Sequence, residues 1–542
     1  MKRFALVVVA AALLAPAADA GRYAVGVRTM GDLPRLRAAL PNAESLAPIP
    51  ALIVDQAGPP RLADLPGATY VERLGSRRLA FAPNDPLAPK QWHLNATRAF
   101  DFWDSSALAL ALPPVRVAII DSGIDATHPE LVDKIVEGGT KSFVGGSATV
   151  DHEGHGTFVA GLIAAAVDNS AGIAGMAPSA ELLIAKVVVG GDVIDVEAEA
   201  KAIKWAVQND AKVINLSLGG LRDPRDPDRD TFSPLEAAAV AYAYGKGVVI
   251  VAAVGNAESG ATSPWPFASY PAALPHVLGV SALARDGSVP FFSNRDKIYN
   301  DIAAPGAGII STMPLEMTAP FKECLDQGFS TCGPDEWRKG EGTSFAAPQV
   351  SAAAAVLLAV RPDLRPEQVT ALLTETARDV NAATGCKACP PRRDAFTGWG
   401  RLDVTAALRQ LSGVIPPRDR YEPNDDGGED AAPLWGRTKR IEPTLDFWDD
   451  QNDVYAIRLR RGQPVFVSVR GPAGTDTNLI LWRPHTKHVD DLASVGLVAR
   501  QSARPGPNEW LSYRAPKTGT YYVQVKLGSR GAGKYKLAIV KA

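Results

Sequence analysis

A chain of 542 residues is too long for one compact domain, so two or three are expected. Its apolar fraction of 46% and charged fraction of 21% are those of ordinary globular protein. A net charge of −2 with no basic cluster gives no footprint for nucleic-acid binding.

The chain opens with Lys2-Arg3, an apolar run from Phe4 to Leu14, and small residues ending Ala18-Asp19-Ala20. This is the charged, apolar, A-x-A pattern of a cleaved secretory signal over residues 1–20. The run is too short for a permanent anchor, and no later stretch of about 18 apolar residues free of charge is read as a span. The protein is expected to be exported: extracellular, or periplasmic where the source has an outer membrane.

Residues 21–83 read as a small α+β module. Strands are expected at Tyr23–Val27, Ala51–Val54, near Tyr70-Val71 and at Leu79–Phe81, with helices at Leu33–Leu40 and near Arg61–Leu65. Pro83 to Pro89, with Asn-Asp-Pro inside it, is expected to be an exposed, extended link. From Val115 the texture is α/β. Short Val- and Ile-rich runs at Val115–Ile120, Leu182–Val189, Val213–Leu216, Val248–Val251 and Val277–Val280 alternate with helical patterns at His155–Val167, Val196–Asn209 and Pro234–Tyr244. This predicts a doubly wound, mostly parallel sheet with helices on both faces over residues 84–412, its functional residues beyond the carboxyl ends of the strands. Residues 413–418 read as a linker. Beyond them, 419–542 carries period-2 runs at Val454–Leu459, Val465–Val469, Tyr521–Val525 and Tyr535–Val540, which predicts an all-β sandwich.

Export makes disulfides the natural state of the four cysteines, and the two local pairs, Cys324–Cys332 and Cys386–Cys389, are expected. A zinc site would need a second Cys-x-x-Cys or a paired-His motif, and the sequence has neither.

Three stretches carry chemistry. Asp121 directly follows an apolar strand in Asp121-Ser-Gly-Ile-Asp125, and His155 stands between glycines at the head of an apolar helix in Asp151-His-Glu-Gly-His155-Gly-Thr157. Ser344 lies in Gly342-Thr-Ser-Phe-Ala-Ala-Pro348, just before the Ala-rich helical run Gln349–Val360, with Pro348 tolerated in a first turn. Each has an ordinary reading when taken alone: a turn aspartate, a solvated or structural histidine, a helix N-cap serine. His152 and His128 rival His155, and His152-x-x-His155 has metal-like spacing but no evident third ligand.

Together and in this order the three stretches resemble the signatures of the subtilisin-like serine proteases, the subtilases, over residues 84–412. The resemblance implies a serine endopeptidase in which Ser344 attacks the scissile carbonyl, His155 acts as general base and acid, and Asp121 orients His155. It implies an oxyanion donor at Asn256, in Gly255-Asn256, besides the backbone N–H of Ser344. Substrate is expected to lie along Ser217-Leu218-Gly219 by strand addition, with Gly255 and the region of Ser269-Tyr270 lining the specificity pocket. No acidic residue belongs at the base of that pocket, so an apolar or broad preference is expected. The adjacent run Arg222–Arg229 is read as a solvated loop.

The resemblance also implies a structural Ca2+, held through Ala166, Asn169, Ala171 and Ile173 with Asp85 and Glu130, and no cofactor for catalysis. Residues 21–83 resemble a subtilase pro-domain, the enzyme's own inhibitor and folding aid, removed by self-processing. Residues 419–542 resemble the bacterial pre-peptidase C-terminal domain through Tyr421-Glu-Pro-Asn-Asp425, Asp453-Val-Tyr455 and Gly519-Thr-Tyr-Tyr522. Protein or peptide substrates and a monomeric state are expected. Two rivals stand: a dedicated maturation protease whose cleft is narrowed by the insertion between Pro314 and Glu341, and a non-catalytic binding protein that keeps the fold.

Overall fold

The computed structural model describes residues 20–74, 81–188, 193–256, 264–321, 328–411, 417–448, 450–489, 496–529 and 531–542. The expected signal segment, Cys324 and most of the 413–418 linker lie outside the described residues. Two compact units result, Met1–Leu79 and Ala80–Ala542.

In the first unit four antiparallel strands lie in the order Glu44–Ser45, Ala51–Ala57, Ala20–Val27, Ala68–Arg73. Helix Leu33–Ala39 buries Leu33 and Leu36 in a core with Val25 and Leu52. The second expected helix is only a single turn, Leu62–Asp64. The expected strand Leu79–Phe81 falls largely outside the described residues, and Phe81 is not in a strand.

The second unit is built on seven parallel strands among the described residues. These are β1 (Val115–Asp121), β2 (Ile135–Ser142), β3 (Ala180–Lys186), β4 (Val213–Leu216), β5 (Val249–Ala253), β6 (Val277–Leu283) and β7 (Ile302–Pro305). They lie in the order β7-β6-β5-β4-β1-β3-β2: from β1 the chain passes to the edge strand β2, returns to β3 beside β1, and then adds β4 to β7 in sequence on the other side. Helices α1 (His155–Ala164), α4 (Ala347–Val360) and α5 (Pro366–Glu375) cover one face, while α2 (Val196–Gln208) and α3 (Pro234–Gly245) cover the other. Strand β1 sends Val117 and Ile119 to the first core and Ala118 and Ile120 to the second, which is why its run is continuously apolar.

Helix α4 is buried from Ala347 to Ala359, with Pro348 in its first turn. Its Ala-rich surface lets it lie against β1, β4 and β5 at backbone distance. The stretch Thr343–Val360 does have the length and apolarity of a membrane span, contrary to the sequence reading, yet 89% of it is buried within the fold. It is a core helix.

Two edge strands escape the sequence pattern. β2 carries Gly138-Gly139 and a register shift between Ile135 and Thr140, while β7 is four residues ending in proline. The link at Pro83–Pro89 is exposed only in part, at Asn84, Pro86 and Pro89. Asp85 is buried, and the Asp168 N–H donates to its Oδ2 at 2.9 Å. The Arg222–Arg229 run is a loop with Pro224, Arg225, Pro227 and Asp228 exposed, but its start is anchored in the fold. Arg222 forms a buried ion pair with Asp296 at 3.0 Å, and Arg225 and Arg229 lie over the Trp265 ring.

The C-terminal region is a sandwich, as expected. A five-stranded sheet runs in the order Ala432–Pro433, Asn452–Leu459, Gly519–Leu527, Thr477–Trp482, Val498–Ser502, and the four-stranded sheet in the order Thr438–Ile441, Lys536–Lys541, Pro464–Arg470, Asn508–Arg514. Strand Pro464–Arg470 buries Val465, Val467 and Val469 and exposes Phe466 and Arg470, a clean period of two. The sandwich meets the α/β body through Trp399 and Phe447, edge to face at 6.4 Å, and through an Arg418–Glu367 ion pair. Cys386 and Cys389 form the expected local disulfide. The other expected pair involves Cys324, outside the described residues.

One contact between helices has a pH consequence. Glu199 of α2 and Glu236 of α3 are buried against each other; burial pushes both carboxyls up, Glu236 to about 7, and the two share one hydrogen bond in which protonated Glu199 donates to Glu236. A carboxyl raised in the folded state contributes stability that is full below its unfolded value of 4.5 and lost as pH rises through about 7. Glu236→Gln should therefore gain stability relative to its parent between pH 5 and 8, read from urea midpoints in a Ser344→Ala background. A difference independent of pH would contradict this coupling.

Candidate active site

Asp121 is the last residue of β1, and its buried carboxylate accepts the Ser122 N–H at 2.7 Å. His155 is the first residue of α1, and its Nδ1 lies 2.9 Å from Asp121 Oδ1 and 3.1 Å from Oδ2. The contact with the carboxylate through Nδ1 sets the orientation of the ring.

The contact is enforced by backbone, not by side-chain packing. A Cβ at Gly156 would stand 2.1 Å from the Gly123 carbonyl oxygen, so only glycine lets the head of α1 close on the loop after β1. Gly154 is the N-cap with φ 74 and offers no side chain to the free N–H groups of α1. Asp151 replaces the missing cap. Its Oδ1 accepts from Gly154 N and Ser122 Oγ, and its Oδ2 from Thr157 N and Oγ1, all within 2.9 Å. Ser122 Oγ accepts in turn from Gly156 N at 2.9 Å, joining both catalytic-looking loops in one network. Both Ser122 and Asp151 lie inside the motifs, but neither is assigned a role in the sequence.

Ser344 lies in a single 3-10 turn, Thr343–Phe345, three residues before α4 begins. It is not an N-cap: no side-chain cap bond occurs at the start of α4, whose N-cap position is Ala346. The turn is fixed by the end of β4. Ser351 Oγ donates to Asn215 Oδ1 at 2.8 Å, Asn215 Nδ2 to Ser217 Oγ at 2.9 Å, and Ser217 Oγ to the Ser344 carbonyl at 2.7 Å. The Ser217 side chain thus holds the serine turn, and Ser217, Leu218 and Gly219 line the cleft.

Asn256 follows β5. Thr343 N–H and Thr343 Oγ1 donate to its Oδ1 at 3.1 and 3.0 Å. A backbone N–H can only donate, so these bonds fix the amide with Nδ2 turned away from Thr343. Thr343 is the orienting partner that sequence reading missed.

Asp121, His155, Ser217, Leu218, Gly219, Gly255, Asn256, Ser269 and Ser344 all line one cavity of about 540 Å3. The insertion after Pro314 reaches it: Gly328, Phe329 and Glu341 are in the lining, and the Phe329 ring stands edge-on to His155 at 5.4 Å. Glu153 and Phe292 are also in the lining. The rival histidines are placed elsewhere. His128 is buried with its Nδ1 accepting the Glu130 N–H at 3.2 Å, and burial lowers it to about 4, whereas His152 is exposed.

The subtilase family model matches residues 114–400. The chain belongs to the subtilase family. It is a subtilisin-like serine endopeptidase. Thermitase of Thermoactinomyces vulgaris is 34% identical over 279 residues, 51% of this chain and 85% of that protein. Subtilisin DY of Bacillus licheniformis is 36% identical over 297 residues, 54% and 91% respectively, and Subtilisin Savinase of Lederbergia lenta 34% over 295, again 54% and 91%. Nearly half of this subtilase is therefore outside the matched region.

The residues expected to hold Ca2+ are brought together. Asp85 accepts from Asp168 N and Asn169 N at 2.9 and 3.3 Å, and Glu130 Oε2 accepts from Asn169 Nδ2 at 3.2 Å. Ala166 N donates to the Glu130 carbonyl at 3.1 Å, and Ala171 N to Asn169 Oδ1 at 2.9 Å. Glu130 Oε1 is buried without a donor, and burial pushes this carboxyl up to about 7. An orphaned buried oxygen in an all-oxygen set fits a hard cation. Asn169 would have to turn its amide, since its Nδ2 faces Glu130.

The Gly123–Gly156 approach makes a direct prediction. Gly156→Ala must open the loop after β1 from α1 and displace His155, lowering kcat about 100-fold or more. Circular dichroism and kcat on a peptide substrate check this; activity within threefold of the parent would show that the approach is not needed.

Proposed function

We propose that this subtilase is an exported, self-processing endopeptidase with Ser344 as nucleophile. The observation that carries the reading is the coincidence, in one cleft, of Ser344, a histidine anchored to a buried carboxylate, and an amide of fixed orientation. His155 Nε2 takes the Ser344 hydroxyl proton as Oγ bonds to the scissile carbonyl carbon. Asp121 holds the ring and the positive charge it acquires. Asn256 Nδ2 and the Ser344 N–H donate to the oxyanion. The amine leaves with the proton from His155, and water, deprotonated by the same nitrogen, then releases the acyl group. Ser217-Leu218-Gly219 offers its backbone to an extended substrate, and Gly255 and Ser269 border the side-chain pocket.

Residues 1–20 would direct export, and 21–83 would act as pro-domain, inhibitor and folding aid until cleaved. Residues 84–412 form the catalytic domain and 419–542 a pre-peptidase C-terminal domain, joined through 413–418. The monomer is the working form. Asp85, Glu130, Ala166, Asn169, Ala171 and Ile173 would hold a Ca2+ that stiffens the loop after α1 and supplies no catalytic step. The reading as a maturation protease for one partner draws support from Phe329, which the insertion sets against His155 and which narrows the cleft.

Expression of the parent beside Ser344→Ala tests the central claim. A fluorophosphonate should label the parent at Ser344, and intact mass should show loss of the pro-segment only in the parent. A parent neither labelled nor trimmed would end this reading. Cleavage of a diverse peptide library at few positions would favour the maturation protease. For the oxyanion role, Asn256→Ala should lower kcat by about 10²–10³-fold with KM little changed; a loss confined to KM would remove Asn256 from it.

A further inference from the structure

The outer face of the sandwich's four-stranded sheet is basic. Strands Thr438–Ile441, Lys536–Lys541, Pro464–Arg470 and Asn508–Arg514 alternate between core and solvent, and their exposed side chains include Arg440, Arg470, Arg514 and Lys536 together with Phe466 and Trp510. The one acid in these strands, Glu509, is buried. The chain as a whole has a net charge of −2, so this positive charge is local. No basic run announces it in the sequence, because antiparallel pairing assembles the face from four separate segments.

Two features set this face apart from an ordinary solvated surface. Arg470 and Lys536 are partners in the strand register, so like charges stand directly opposite each other, a destabilising arrangement. Glu442, just beyond the edge strand, answers Lys536 with Oε1 at 3.1 Å from Nζ. Arg440, Arg470, Arg504 and Arg514 have no carboxylate partner among the described residues. The second feature is aromatic. Phe466 and Trp510 stack at 6.2 Å with 27° between their planes, and the Arg504 guanidinium lies over the Trp510 ring at 4.7 Å. The ring holds this guanidinium without neutralising it, so its N–H fork stays available to an anion.

We propose that this face binds an acidic polysaccharide of the uronic-acid type, with its carboxylates on the arginines. A planar carboxylate takes two parallel N–H bonds from a guanidinium. The cations run from Arg514 at one end of the strands to Arg470 at the other, which calls for a polymer and not a single small anion. Between them stand Ser468, Asn508 and Ser512, neutral groups able to donate to and accept from sugar hydroxyls. The Trp510 ring is already stacked by Phe466 and Arg504, so it offers no open face to a nucleobase. Phe466, Trp510 and Val540 are the exposed large apolar side chains of these strands and give little area to bury in lipid. None of these residues lines the proteolytic cleft, so binding would hold the protease at a polysaccharide matrix with its cleft free.

The test uses the full chain carrying Ser344→Ala, run by affinity electrophoresis through gels holding alginate or neutral dextran and titrated with alginate at several salt concentrations. Alginate should retard the parent and dextran should not, and affinity should fall linearly with log salt. Arg470→Gln should weaken alginate binding several-fold and lower the salt slope by about one. Trp510→Ala should weaken it about tenfold by releasing Arg504. Arg500→Gln, at an exposed arginine of strand Val498–Ser502 in the other sheet, controls for bulk charge and should bind as the parent does. Should either face variant fail to fold by circular dichroism, Arg440→Gln takes its place, with the loss expected of Arg470→Gln. A parent that alginate does not retard, or that dextran retards equally, overturns the proposal. So does an equal loss in Arg500→Gln and Arg470→Gln, or tighter binding to oligothymidylate or to vesicles of phosphatidylcholine and phosphatidylserine than to alginate.

Discussion

The α/β body depends on a helix with no solvent face. Burying α4 on all sides removes its whole surface from water, but only small side chains let β1, β4, β5 and α1 approach it closely enough. The alanines at 352–355 meet that condition, and the consequence is positional. A helix clasped on every side has a start that cannot wander, and the turn bearing Ser344 is joined to that start. Ser351, on the helix itself, begins the hydrogen-bond chain through Asn215 and Ser217 that returns to the Ser344 carbonyl. Core packing and site geometry are one structure here.

The motifs bearing Asp121, His155, Asn256 and Ser344 were legible in the sequence because each sits where an apolar run meets a glycine. The strands behind them were legible for the same reason: a parallel strand covered on both faces has to be apolar at every position. The edges were not. β2 is covered less fully and interrupted by Gly138-Gly139, and β7 is too short to show a period. Local pattern also misjudged polar stretches. Arg222–Arg229 reads as solvated because charge normally is, yet the Arg222–Asp296 pair and the Trp265 ring draw it inward. Those partners lie dozens of residues away, where no local pattern reports them.

The supporting residues were illegible for a deeper reason. Ser122 and Thr343 line the cleft and Asp151 is buried beside it, yet what each contributes is a hydrogen bond to a neighbour, which composition does not reveal. They act by using up the alternatives of their neighbours: Thr343 fixes which end of the Asn256 amide faces the cleft, and Asp151 takes the N–H groups that Gly154 leaves bare. Sequence motifs mark where chemistry is placed. Orientation is set by whichever donors and acceptors have already been spent, and that is a property of the folded network.

Three buried aspartates show how far partners decide the meaning of a residue type. Asp121 accepts a backbone N–H and faces a histidine ring, so its charge is held where an imidazolium can form. Asp151 receives three backbone N–H groups and two hydroxyls at a helix head, where the macrodipole favours an anion, so both its oxygens are used for structure. Asp450 is as deeply buried as either, with neither oxygen given a donor and acids for neighbours. A folded protein tolerates the first two because their charges are answered within the chain. The third receives no donor among the described residues, so the same residue type at the same depth lacks the partners that answer the other two.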